Sequence, residues 1–152
     1  MNLKEAIRKI MVKYDNGNTL FVSSDGLISR ELYSQKQQGV FPMVGSMGLC
    51  SAIGVGLYKS TNKRIVVIDG DGAFLMSAGT QVLLEQLTTS RLVHIVLDNG
   101  CYGTTGNQKC IRIPKEISKR LIVMKIDKYG SYKPPRIKNL VKIKKEFMRC
   151  CK

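Results

Sequence analysis

Apolar residues in this chain fall into short runs separated by polar and glycine-rich turns, and their spacing changes from run to run. Leu3, Ala6, Ile7, Ile10 and Met11 recur at helical spacing, with Lys4, Arg8, Lys9 and Lys13 on other faces. That pattern predicts an amphipathic first helix ending before the turn Asp15-Asn16-Gly17-Asn18. Thr19-Leu20-Phe21-Val22-Ser23 reads as a buried strand, closed by Ser24-Asp25-Gly26, and a short helix is predicted from near Ser29, with Arg30, Glu31 and Leu32 in its first turn. Val40-Phe41-Pro42-Met43-Val44 is a further extended segment. Gly45 opens a turn into a helix from about Leu49 to Tyr58, whose small residues Ser51, Ala52, Gly54 and Gly56 predict close packing or close ligand approach. Arg64–Asp69 and Leu92–Leu97 are apolar enough to be strands buried on both faces, with a helix over roughly Gln81–Leu87 between them.

Strands alternating with helices imply βαβ units, hence an α/β fold: a three-layer α/β/α arrangement around a mainly parallel sheet. A length of 152 residues fits one domain over 1–152. In such sheets ligands bind at the carboxyl ends of the strands. The glycine-rich and polar clusters of this sequence fall at those ends, which is where function is to be sought.

Composition narrows the chemistry. The longest apolar runs, such as Ile65–Ile68, are far too short to cross a bilayer, and the N-terminus lacks the apolar core of a signal peptide, so the expectation is a cytoplasmic protein with no membrane association. Five cysteines (Cys50, Cys101, Cys110, Cys150, Cys151) with no C-x-x-C pair argue against a disulfide framework and a zinc site. A single histidine, His94, inside an apolar strand reads as a hydrogen-bonded structural residue rather than a catalyst. The net charge of +14 is uneven: residues 1–108 carry 10 Lys/Arg against 8 Asp/Glu, and residues 109–152 carry 15 against 3. This basic last third is either a solvated surface or a binding face for a polyanion or an acidic partner. No zinc finger or aromatic-interleaved RNA motif speaks for nucleic acid.

Three clusters carry candidate chemistry: Gly45-Ser46-Met47-Gly48, Gly70-Asp71-Gly72 and Asp98-Asn99-Gly100. Glycines let backbone N–H groups approach an anion, and Asp71 and Asn99 offer oxygen ligands of the kind Mg²⁺ takes when it also holds a diphosphate. Nucleotide motifs fail on inspection. Gly54–Ser60 has Tyr58 where a P-loop needs glycine, and Gly70–Leu75 lacks the third glycine of a dinucleotide fingerprint.

Gly70-Asp71-Gly72, followed 28 residues after Asp71 by Asn99 across a helix and a strand, resembles the signature of thiamine-diphosphate enzymes. Ser29–Leu32, Gly45–Leu49, Ile68–Gly72 and Leu97–Gln108 resemble in particular the β subunits of sulfopyruvate decarboxylases, with the phosphonopyruvate decarboxylases close by. The resemblance runs over about residues 3–108 and resumes from Leu121–Asp127 through Pro135–Ile137 to Glu146–Met148. About one helix, strand and helix of the family domain are missing or compressed between these stretches. The first asparagine usual in the second cluster is Asp98 here, while the ligand position Asn99 is kept.

The resemblance implies thiamine diphosphate and Mg²⁺ as cofactors. Asp71, Asn99 and the Cys101 carbonyl would be metal ligands. Gly70, Gly72, Ala73 and Tyr102 would line the diphosphate, and Met47 would support the bent cofactor, with Gly45 and Ser46 shaping its turn and the Gly45 carbonyl accepting from the 4′-amino group. Thr104, Thr105, Asn107 and Gln108 either bind the small anionic 2-oxo acid substrate or serve as loop scaffolding. The pyrimidine-binding domain of these enzymes, which carries the activating Glu, has no segment of this chain to build it. A pyrimidine-domain (α-type) partner subunit in a hetero-oligomer is therefore implied. Two other classes remain open: a shortened, non-catalytic family member, and a basic nucleic-acid-binding module built on 109–152.

Overall fold

The computed structural model describes residues 1–87, 89–114 and 117–152. Lys115 and Glu116 of the basic block lie outside the described residues. Helix α1 (Leu3–Tyr14) starts at a reciprocal cap, in which Asn2 Oδ1 accepts from Glu5 N (2.9 Å) and Glu5 Oε2 from Asn2 N (3.2 Å). Strand β1 (Thr19–Ser23) is buried throughout and leads to α2 (Leu27–Gln35), which begins two residues before Ser29. β2 (Val40–Pro42), α3 (Cys50–Ser60) and β3 (Arg64–Gly70) follow within a residue or two of the ranges the pattern predicts.

The next stretch corrects the sequence reading. The helix expected over Gln81–Leu87 is the second of two, α5 (Thr80–Gln86), and it is preceded by α4 (Asp71–Met76). Asp71 therefore opens a helix rather than only a turn. Six residues are too few for an apolar period to be read, because a 3.6-residue repeat needs two or more turns to declare itself. β4 (Leu92–Asp98) is the third long strand, followed by a small antiparallel hairpin of β5 (Cys101–Tyr102) and β6 (Gln108–Lys109). β7 (Leu121–Lys125) and α6 (Leu140–Cys150) complete the chain.

The main sheet has the order β2-β1-β3-β4-β7, and every pair in it is parallel. β7 lies directly on β4, with His94 opposite Leu121. Alternation along the strands sends Phe21, Val66, Ile68, Ile95 and Leu97 to one face, where Leu3, Ile7 and Ile10 of α1 and Ile28 and Leu32 of α2 cover them. Leu20, Val22, Ile65, Val67 and Leu92 point the other way, against Cys50 and Val55 of α3, Leu84 of α5 and Phe147 of α6. Burial on both sides is why β1, β3 and β4 read as continuous apolar runs. The Phe147 ring sits 5.2 Å from that of Phe41 and fixes α6 beside β2.

Gly54 shows what the small residues of α3 are for. A Cβ there would stand 2.2 Å from Val67 Cγ2, so helix and sheet touch backbone to side chain, whereas Gly56 faces open space. On the same face a buried polar chain runs from Gln81 Nε2 to His94 Nδ1 (2.6 Å) and from His94 Nε2 to Asp69 Oδ2 (2.9 Å). His94 is thus a satisfied structural histidine, as its apolar surroundings in the sequence suggested. Among the described residues, no helix is long and apolar enough to cross a membrane.

Candidate functional site

A cavity of about 450 Å³ opens at the carboxyl ends of the parallel strands. Segments following all five strands reach it: Ser24–Ile28 after β1, Met47 after β2, Gly70–Ala73 after β3, Asn99 and Cys101–Thr105 after β4, and Tyr129 after β7. The reason is topological. All strand pairs are parallel, so each connection returns to the amino end of the next strand and every strand releases its following segment on one edge of the sheet.

The three sequence clusters meet there. Asp71 Oδ2 accepts from Gly100 N at 2.9 Å, which ties the turn after β3 to the turn after β4. Asp71 Oδ1 accepts from Gly72 N (2.8 Å), and Asn99 Oδ1 from Cys101 N (3.1 Å). The third cluster packs on α4, because a Cβ on Gly48 would stand 2.9 Å from Met76 Cβ. At Gly72 a Cβ would fall 2.8 Å from the Tyr102 ring and 3.5 Å from Met47 Cε, and at Gly103 one would fall 2.6 Å from the Tyr129 ring. The cradle is therefore floored by bare backbone at Gly72 and walled by Met47, Tyr102 and Tyr129.

Not all expected residues face this space. Gly45 and Ser46 are exposed and line a separate apolar groove with Phe41, Leu49, Ile143 and Phe147. Only Met47 of that turn reaches the cavity, since the turn winds through a left-handed Ser46 (φ 60°) and sends successive residues to opposite sides. Thr104 and Thr105 line the cavity, but Asn107 and Gln108 sit in the exposed return of the β5–β6 hairpin. Conversely, Asp25, Leu27, Met76 and Tyr129 line it without any signal in the sequence, because loop residues show no periodicity that would assign them to a site.

The electrostatics favour a cation beside Asp71. Burial raises the Asp71 pKa first, and the negative charge of Asp98 raises it further, against hydrogen bonds from Gly72 and Gly100 that lower it. Asp98 is itself paired with Lys125 and accepts from Gly100 N at 2.9 Å. Among the described lining residues there is no Lys, Arg or His, while Asp25 and Asp71 are both acidic. Neither does any group of three His, Cys, Asp or Glu stand ready for a metal among the described residues, so any ion here would rely on Asp71, an amide and backbone carbonyls. That is a hard-oxygen donor set, suited to Mg²⁺ sharing its sphere with phosphate oxygens.

Residues 26–138 match the family model of the thiamine pyrophosphate enzyme, C-terminal TPP-binding domain. The chain belongs to that family. The match runs from Gly26, the last residue of β1's closing turn, past β7 and takes in the cavity's three clusters. Similar proteins include the sulfopyruvate decarboxylase subunit beta of Methanocaldococcus jannaschii, 40% identical over 69% of this chain and 56% of its own length. The subunit beta of Methanococcus maripaludis is 33% identical over 90% of this chain and 74% of its own length. The phosphonopyruvate decarboxylase of Streptomyces viridochromogenes is 41% identical over 59% and 23% respectively. The chain thus spans a little over half the length of the first of these relatives. As a TPP-binding domain it has a site that fits its cofactor: a floor without Cβ atoms at Gly72, and the hard-oxygen side chains Asp71 and Asn99 beside it.

Proposed function

We propose that this chain is the diphosphate-binding subunit of a thiamine-diphosphate- and Mg²⁺-dependent 2-oxo acid decarboxylase that converts sulfopyruvate to sulfoacetaldehyde and CO₂. The observation that carries the reading is the Asp71–Gly100 hydrogen bond, which brings the two cofactor clusters together at one cavity edge. The likeness to sulfopyruvate decarboxylase β subunits supplies the substrate.

In this reading Asp71, Asn99 and the Cys101 carbonyl would hold Mg²⁺, and the Gly72 and Ala73 N–H groups would meet the diphosphate at the first turn of α4, where N–H groups lack a carbonyl partner four residues back and that of Gly72 is held by the Asp71 side chain. Met47, the one residue of its turn that reaches the cavity, would set an apolar side chain against the cofactor, whereas Gly45 and Ser46, which face the other groove, take no part in holding it. When bound, thiamine diphosphate supplies a nucleophilic carbon and then an electron sink as CO₂ departs. Thr104 and Thr105 donate hydrogen bonds to the substrate. With no cationic side chain among the described lining residues, the sulfonate's charge would be met from a second polypeptide, the pyrimidine-domain subunit that also brings the activating Glu.

The test is to tag the chain in its own host and identify what co-purifies with thiamine diphosphate and Mg²⁺ present. A co-eluting pyrimidine-domain chain whose complex releases CO₂ from sulfopyruvate supports the reading. Phosphonopyruvate enters the same panel on the strength of its decarboxylases' 41% identity. Asp71→Ala should weaken thiamine diphosphate binding by more than about 100-fold, since even outer-shell changes cost about 10–100-fold in metal sites. One observation favours a second reading, a non-catalytic family member: β7 lies directly on β4, with His94 opposite Leu121. Cofactor binding without turnover in the purified complex would select it.

A further inference from the structure

A second pocket of about 420 Å³ lies at the opposite end of the sheet, where β1, β3 and β4 begin. We propose that it binds a small polyanion bearing phosphate-type groups, at a site distinct from the cofactor cavity and independent of the reaction proposed above. It is lined by Lys59, Lys63, Arg91 and Lys152 with the polar side chains of Asn18, Ser60, Thr61 and Asn62, and no Asp or Glu is among the described residues lining it.

Arg91 is prearranged. Its Nη1 donates to the carbonyls of Thr61 (3.0 Å) and Lys63 (3.2 Å), and its guanidinium stacks 4.6 Å from the centroid of the Tyr58 ring. One cation is thus already fixed and partly dehydrated, so an anion binding there loses less rotamer entropy than at a free arginine. Lys63 Nζ is held by Asn18 Oδ1 at 2.9 Å, a neutral partner that leaves its charge uncompensated. The pocket sits at the carboxyl end of α3, which by itself would repel an anion. Part of that end is covered, however: Leu57 O takes both the N–H (2.9 Å) and the hydroxyl (2.9 Å) of Thr61, and Arg91 takes the carbonyls of Thr61 and Lys63 just beyond it.

The seven residues of β3 separate this pocket from Asp71 by about 20 Å at the rise of a parallel strand. Three cations in a concave site, Lys59, Lys63 and Arg91, suit a ligand of two or three negative charges, larger than a single phosphate and smaller than a nucleic-acid backbone.

The experiment is titration of the full chain, in EDTA to silence the metal-dependent cavity, with inorganic phosphate and with pyrophosphate. Binding is followed by calorimetry and by amide shifts in ¹H–¹⁵N spectra. Pyrophosphate should bind more tightly than phosphate and shift the amides of Thr61–Arg64, Arg91 and Cys151. Lys59→Ala/Lys63→Ala should weaken pyrophosphate by about tenfold or more. Lys142→Ala/Lys145→Ala, which removes the same charge from α6, should change it less than about twofold. Equal losses in the two variants, shifts confined to Gly72 and Asn99, or no binding at millimolar pyrophosphate would each overturn the proposal. So would a preference for single-stranded oligonucleotide on this surface.

Discussion

Gly54 and Gly56 lie two residues apart in one helix and should respond to alanine with opposite signs. At Gly54 the new Cβ would stand 2.2 Å from Val67 Cγ2, against the 3.5–4.0 Å of an ordinary carbon contact. Val67 cannot swing away, because it is fully buried on a central strand and its branched Cβ restricts χ1. Overpacking of this kind costs about 1–3 kcal/mol, and the overlap puts Gly54→Ala toward the upper end. The better helix propensity of alanine returns up to about 1 kcal/mol, leaving a net loss of about 1–2 kcal/mol. For a chain of 152 residues, at about 3 °C per kcal/mol, Tm should fall by about 3–6 °C. Gly56 has nothing within 4 Å of the new atom, so only the propensity term remains and Tm should rise by about 2–3 °C. Calorimetric melting of the two variants and of Gly54→Ala/Val67→Ala decides it. In the double variant the combined loss should be smaller than the sum of the two single losses, since each substitution relieves the other. A Gly54→Ala protein as stable as the parent would refute the contact, and a fall at Gly56 would refute the propensity argument.

Three further outcomes are expected. Gly72→Ala should move the half-buried Tyr102 ring into the cofactor space, weakening thiamine diphosphate binding by about tenfold while Tm changes little; unchanged affinity in a binding titration would count against the cradle. His94→Leu should cost about 3–5 kcal/mol in urea unfolding, because among the described residues it strips the one side-chain partner from a buried Asp69 carboxylate whose Oδ1 has none, and a loss below about 1 kcal/mol would sink that account. Burial, and secondarily the charge of Asp69, raises the pKa of Asp25 above its ordinary 3.8, so the ionised form costs stability at neutral pH and the cost fades as pH falls through the raised value. Asp25→Asn should therefore raise Tm at pH 7 and lose that advantage as pH falls toward 3.8, whereas an equal gain at both ends would show that the charge is not responsible.

Much of the fold was legible because β1, β3 and β4 are covered on both sides, and a strand so placed must be a continuous apolar run. The position of the candidate site was legible for a related reason. β3 and β4 are adjacent and parallel, so the residues just past their ends, Asp71 and Asn99, are neighbours in space even though 28 positions separate them. Local pattern thus determined the layers, the ends of the strands and the residues those ends carry. The tertiary structure alone decided what else meets there: that Tyr129, Asp25 and Met76 join the cavity, that Met47 enters it while Gly45 and Ser46 turn away, and that Arg91 stacks on Tyr58 at the far end of the sheet. Helix α4 also stayed hidden, being shorter than two helical turns. These features depend on contacts between segments far apart in the chain, and no period of 2 or 3.6 residues records which loop will pack against which.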